Sequence, residues 1–127
     1  MNGSKIVLDT NIILYLLSGD ETLSAFLQDK EGYVSVITEL ELIGYPEITT
    51  KELKEVKEFL QDCTVIDINE EVKAIYVTLR KHYRLKLGDA AAAATAIYLD
   101  FPFISADRGF AKVKELQLTS YNRGIEE

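Results

Sequence analysis

KIVLDTNIILYLLSG, Lys5 to Gly19, is the stretch whose reading decides the fold. Ile6, Val7 and Leu8 stand in a row, which suits a strand buried on both faces, as in parallel sheets covered by helices. Asp9 ends the run, and NIILYLLSG reads as a helix directly after it. A buried strand running straight into a helix is the opening of a βαβ unit.

The alternation recurs along the chain. ETLSAFLQD reads as a second helix, GYVSVI as a strand, and TELELIGY as a short helix stopped by Pro46. ITTKELKEVKEFLQD is an amphipathic helix, with Thr50 its expected N-cap and Leu53, Val56, Phe59 and Leu60 on one side. CTVIDI is a strand. Asn69 caps the next helix, in which Val72, Ile75, Tyr76 and Leu79 recur at helical spacing. An alanine-rich helix follows in KLGDAAAAATAI, then a strand in PFISAD, a helix in FAKVKEL and a last strand in QLTSY. Strands alternating with helices predict an α/β domain, its mainly parallel sheet of about five strands buried between helical layers by right-handed crossovers.

The 127 residues suffice for one ordinary domain, expected over 1–127. No apolar run approaches the roughly 20 residues of a membrane helix. The first apolar run stops at Asp9, too short for a secretory signal, so a cytoplasmic protein is expected. The one cysteine, Cys63, allows no intramolecular disulfide and reads as a buried thiol. The one histidine, His82, argues against a His-rich zinc site. With 21 acids against 14 bases the net charge is −7, which excludes a strongly basic nucleic-acid coat. The surplus serves solubility, or gathers some acids around a cation.

Four isolated acids stand at the ends of elements. Asp9 follows KIVL and Asp107 follows FISA, both at carboxyl ends of strands. Ligands of open α/β sheets bind at those ends, where strand order reverses, so Asp9 and Asp107 share a crevice if their strands are neighbours there. Asp89 opens the alanine helix, and Glu41 lies in the short helix after the second strand. Each also has a local reading: Asp9 as an Asx turn or N-cap, Asp107 as a turn residue, Asp89 as an N-cap, Glu41 as a surface acid.

Taken together, VLDTNIIL, VSVITELELIGY, GDAAAAATAI and FISADRGF resemble the PIN-domain nucleases, and most of all the VapC-type toxins of toxin–antitoxin pairs. The four blocks fall in order and span nearly the whole chain. The resemblance implies an α/β/α sandwich that binds Mg²⁺ or Mn²⁺ and cleaves single-stranded RNA. It carries the catalytic and metal-binding acids onto Asp9, Glu41, Asp89 and Asp107, and the supporting polar groups onto Thr10, Asn11 and Ser105. Its glutamate stands two residues before Ile43, which selects Glu41. Glu39, about 200° away on a helix, is left as a first-turn acid. It further implies a homodimer and a cognate VapB-type antitoxin whose C-terminal segment lies by the active site.

The chemistry of the residues agrees. Hard oxygen donors suit Mg²⁺ or Mn²⁺, Mg²⁺ keeps several waters, and a bound water of lowered pKa can attack a phosphate. Crowded carboxylates raise at least one pKa until a cation arrives. Gly88 permits close backbone approach. Ala90 to Ala94 either keep their helix thin enough to lie near the sheet or serve helix propensity alone.

RKHYRLK precedes Asp89, and Arg108 follows Asp107. Arg84, Lys86 and Arg108 form a basic rim for RNA phosphates, with Tyr83 available to stack on a base, or else RKHYRLK is a solvated helix end. IILYLL, apolar all round, is either deeply buried or meets a partner. The alternatives are a PIN-type nuclease of RNA processing, a PIN fold that binds without cutting, and a receiver-like signalling domain. The last needs paired acids after the first strand and a lysine after the last, and neither is present.

Overall fold

The computed structural model describes residues 4–122. The ends of the expected 1–127 domain, 1–3 and 123–127, lie outside the described residues. Five strands, β1 (Lys5–Leu8), β2 (Glu31–Ser35), β3 (Thr64–Ile66), β4 (Phe103–Ser105) and β5 (Leu118–Ser120), form one sheet in the order β3-β2-β1-β4-β5. Every pairing is parallel. This order differs from the 2-1-3-4-5 of receiver-type doubly wound sheets, which removes the receiver-like reading.

Six α-helices connect the strands: α1 (Thr10–Leu17), α2 (Glu21–Leu27), α3 (Val36–Ile43), α4 (Thr50–Gln61), α5 (Glu70–Tyr83) and α6 (Leu87–Leu99). They cover both faces. Ile6, Leu8, Val34 and Ile104 pack with Ile12, Ile13, Leu23, Leu42, Val56 and Leu60 of α1 to α4. Val7 and Phe103 point the other way, against Val72 and Leu79 of α5 and the alanines of α6. The period of two splits IVL between the faces, so its unbroken hydrophobicity is what a doubly covered strand requires. The chain steps outward through β2 and β3 under α1 to α4, then returns past β1 through α5 and α6. Crossovers of one hand place helices on opposite faces when the direction reverses. The reversal falls between β1 and β4.

Several boundaries differ from expectation. Strand β2 ends at Ser35, whose Oγ accepts from Ile37 N at 3.1 Å and starts α3, so Val36 and Ile37 are helical. Glu41 is therefore well along α3. The N-cap of α4 is Thr49, not Thr50, in a reciprocal pair: Glu52 N donates to Thr49 Oγ1 at 3.1 Å, and Thr49 N to Glu52 Oε1 at 3.0 Å. FAKVKEL forms no α-helix; a 3-10 helix, Arg108–Lys112, takes its place, with Phe110 turned in against Phe103 at 4.9 Å between ring centroids. Helix α6 starts at Leu87, two residues before Asp89, with Lys86 at a cap position that makes no side-chain bond. Asp89 is a first-turn acid, not the cap.

Ala90 to Ala94 are all at most 2% exposed. Five successive residues pass all round a helix, so α6 is enclosed on every side, with α5, β1, β2 and α3 among its neighbours. The small side chains are a packing requirement, since added methylenes in a filled site cost about 1–3 kcal/mol. Among the described residues no helix is long and apolar enough to cross a membrane.

Candidate functional site

The four acids come from four segments of the chain and meet at the reversal. Asp9 leaves the end of β1 as the N-cap of α1, and Asp107 follows β4 as the N-cap of the 3-10 helix. The local readings of these two hold, and the crevice placement holds beside them. The neighbouring strands are tied at this end: Asp9 N donates to Ile104 O at 3.1 Å, and Ala106 N to Asn11 Oδ1 at 3.2 Å.

Asp9 is 6% exposed. Its Oδ1 accepts from Thr10 N at 2.9 Å, and its Oδ2 from the buried Ser105 hydroxyl at 2.6 Å. Ser105 Oγ accepts in turn from Asp107 N at 2.9 Å. Burial pushes the Asp9 carboxyl up to about 6; the Ser105 and Thr10 bonds oppose this, and the charges of Asp89 and Asp107 add to it. The Asp89 carboxyl is also raised, first by burial and then by Asp107 and Glu41, with Lys86 pulling the other way. Asp9 thus feels Asp89 and Asp107, and Asp89 feels Asp107 and Glu41.

Glu41 enters from α3. Its Oε1 accepts from the Thr10 hydroxyl at 2.8 Å, and its carboxylate lies against Gly88 at the start of α6. Of the acids in TELELIG, Glu41 acts on the Asp89 charge, while Glu39 lies in the first turn of α3. Among the described residues the ion pairs are Lys30–Asp29 and Lys73–Glu70, so no base neutralises the crevice directly.

Such a donor set fits a hard divalent cation. It is oxygen only, it repels itself, and its most buried member is held against its charged form. Among the described residues no three His, Cys, Asp or Glu side chains form a cluster close enough to enclose a metal ion by themselves. Mg²⁺ keeps several waters and takes one or two carboxylates directly. Cys63 stands elsewhere, in a hollow by Gly32 and Phe59, its thiol pushed up to about 11 by burial and by Asp62.

Arg84 closes α5 in a left-handed conformation, Lys86 precedes α6 and acts on Asp89, and Arg108 opens the 3-10 helix; all three are exposed. Tyr83 is half-buried. Its ring packs on the core and its hydroxyl donates to Glu115 Oε1 at 2.8 Å.

Residue-by-residue reading missed one element. A groove of about 500 Å³ between α1, α3 and α4 is lined by Leu14, Leu17, Tyr45, Ile48 and Val56, and ends at Thr10 and Glu41. Its signal was the apolar surplus of IILYLL: Ile12 and Ile13 are fully buried, while Leu14 is 51% exposed.

The fold and its acids define a small parallel α/β domain with a carboxylate crevice at its switch point. The PIN domain family matches residues 6–116. The chain belongs to that family, and its class is that of the PIN nucleases. No relative was found among curated protein sequences. Among solved structures, a toxin–antitoxin complex from Klebsiella pneumoniae is 25% identical with a TM-score of 0.78, over 91% of this chain and 96% of that one. FitAcB from Neisseria gonorrhoeae is 24% identical with a TM-score of 0.75, over 95% and 99%. VapBC2 from Rickettsia felis, bound to a DNA fragment from its promoter, is 19% identical with a TM-score of 0.78, over 93% and 99%. The last two speak for the fold alone. The resemblance to PIN domains of the VapC type and the α/β/α sandwich read from the sequence are borne out.

Proposed function

We propose that the chain is an endoribonuclease, dependent on Mg²⁺ or Mn²⁺, that cuts single-stranded RNA as the toxin of a VapBC-type pair in the cytoplasm, with 1–127 as its one nuclease domain. The observation that carries this reading is the meeting of Asp9, Asp89, Asp107 and Glu41 from four segments at the reversal of strand order, with no ion pair to any of them among the described residues. Asp9, Asp89, Asp107 and Glu41 hold the ion, directly or through water. When bound, the ion supplies a nucleophile from water at neutral pH and stabilises charge on the scissile phosphate. Ser105 fixes Asp9 and the Asp107 backbone with one hydroxyl, Thr10 fixes Glu41, and Asn11 fastens the start of α1 to the end of β4.

An acidic protein needs local cations to hold RNA, and Arg84, Lys86 and Arg108 supply them. Each phosphate neutralised on a single strand contributes about −0.7 to the slope of log affinity against log salt. Changing all three residues to alanine, in an Asp9→Asn background that leaves RNA uncut, is expected to flatten that slope by roughly 2. An unchanged slope removes the rim and places the RNA path elsewhere, on a homodimer partner first. The apolar groove that ends at Glu41 is the surface on which a VapB-type antitoxin segment lies, its exposed Leu14 and Tyr45 being the contacts such a segment needs.

The whole reading is tested by expressing the chain with and without its upstream neighbour gene and mapping RNA ends. Growth arrest with discrete new ends, relieved by the neighbour, is the expected result. New ends without arrest make the chain an RNA-processing nuclease instead, and no new ends make it a binding module.

A further inference from the structure

We propose that Gly88 is a positioning residue for the Glu41 carboxylate, and that its missing side chain sets where that acid stands in the crevice. The inference rests on the reading of Glu41 as a site acid. Gly88 is the second residue of α6 and has no need of glycine's backbone freedom: the described residues with positive φ are Gly19, Arg84 and Asp100. Alanine is the better helix former, and five alanines stand two positions on. A glycine at such a place breaks the local rule, and space explains it. A Cβ on Gly88 would collide with Glu41 Oε2 and lie 3.2 Å from Glu41 Cδ. The three heavy atoms nearest to it all belong to the Glu41 side chain.

The obstacle is the far end of a flexible side chain, so the fold yields easily and the carboxylate moves. Glu41 then leaves the place where Thr10 Oγ1 donates to it at 2.8 Å and where its charge acts on Asp89. A packing glycine behaves differently, because its replacement strains backbone and lowers stability. The expected signature of Gly88→Ala is therefore a fold as stable as wild type or more so, with a misplaced acid. A displacement on the order of 1 Å at a catalytic group costs up to about 100-fold in rate.

The test is a double-mutant cycle of Gly88→Ala with Glu41→Asp, read by thermal melt, by Mn²⁺ titration calorimetry and by RNA cleavage, with a crystal structure of Gly88→Ala. Expected are an unchanged or higher melting temperature, a Glu41 carboxylate moved off Thr10, weaker Mn²⁺ binding, and cleavage lower by roughly 10- to 100-fold. Glu41→Asp draws the carboxylate back from the new methyl, so the double variant is expected to match Glu41→Asp alone within about twofold rather than multiply the two losses. A Glu41 side chain still bonded to Thr10 in Gly88→Ala overturns the inference. So does a lowered melting temperature with multiplying losses, which makes Gly88 a packing residue. If wild type neither binds Mn²⁺ nor cuts RNA, the proposed function fails, and the crystal structure and melts still decide the role of Gly88.

Discussion

Asp9→Asn is expected to abolish RNA cleavage and at the same time raise the melting temperature of the metal-free protein at pH 7. Both effects come from one buried carboxylate. Asp9 titrates near 6 in the fold against 3.8 for an aspartate in water, so ionising it works against folding. Below pH 3.8 the group is protonated in both states and the fold carries no penalty. From about pH 3.8 to about 6 the unfolded chain ionises while the buried carboxyl still holds its proton, so stability falls across that window; above about 6 both states are ionised and the loss levels off at roughly 3 kcal/mol. Asparagine keeps an oxygen for Thr10 N and an amide against Ser105, and it carries no charge. The variant and wild type are expected to melt alike near pH 4 and to diverge by several degrees toward pH 7, the variant being the more stable. Cleavage and melts over that range check the pair. Retained cleavage reduces Asp9 to a helix cap, and a variant less stable at pH 7 means the hydrogen bonds outweigh the burial of the charge.

Removal of divalent metal is expected to have the same absolute effect. With EDTA, cleavage of single-stranded RNA should stop, and Mg²⁺ or Mn²⁺ should restore it. Binding leaves a second trace that needs no substrate. A cation that takes the ionised carboxylates lifts the penalty on Asp9, so Mg²⁺ should raise the melting temperature of wild type at pH 7. The rise should shrink toward pH 5, where protons compete for the same oxygens, and nearly vanish in Asp9→Asn. Full activity in EDTA would end the metal-dependent reading whatever the melts do.

Most of the architecture could be read from the residues because each strand carries its own signature. IVL is apolar without a break, as a strand between two layers must be, and at the neighbouring position FIS is buried throughout, with Phe103 and Ile104 apolar and Ser105 turned to the site. Caps were legible where a side chain performs them: Asn69 accepts from Val72 N at 2.8 Å, as expected. Thr49 and Thr50 offered two such side chains, and Glu52 selects the first by reaching back to it. The start of α6 misled because no side chain caps it, which made Asp89 the tempting choice. FAKVKEL misled because Phe110 and Val113, both buried, suit a 3-10 turn as well as an α-helix. The acids could be placed at strand ends, but their convergence depends on strand order, which no local pattern encodes. The fit of Glu41 against Gly88 depends on two helices meeting and is invisible in either segment alone.

The reversal of strand order also sets a clock on synthesis. Asp9 and Ser105 are 96 positions apart. While the chain is being made, β1 can pair with β2 early, but its other edge stays open until β4 is available. At about 5–20 residues per second the interval is roughly 5–20 s. Throughout it, Asp9 lacks the Ser105 hydroxyl, and Asp107 does not yet exist in the chain. A half-made molecule therefore has no crevice. If the domain cuts RNA, the message being translated is spared by its own product until nearly the last strand has been added.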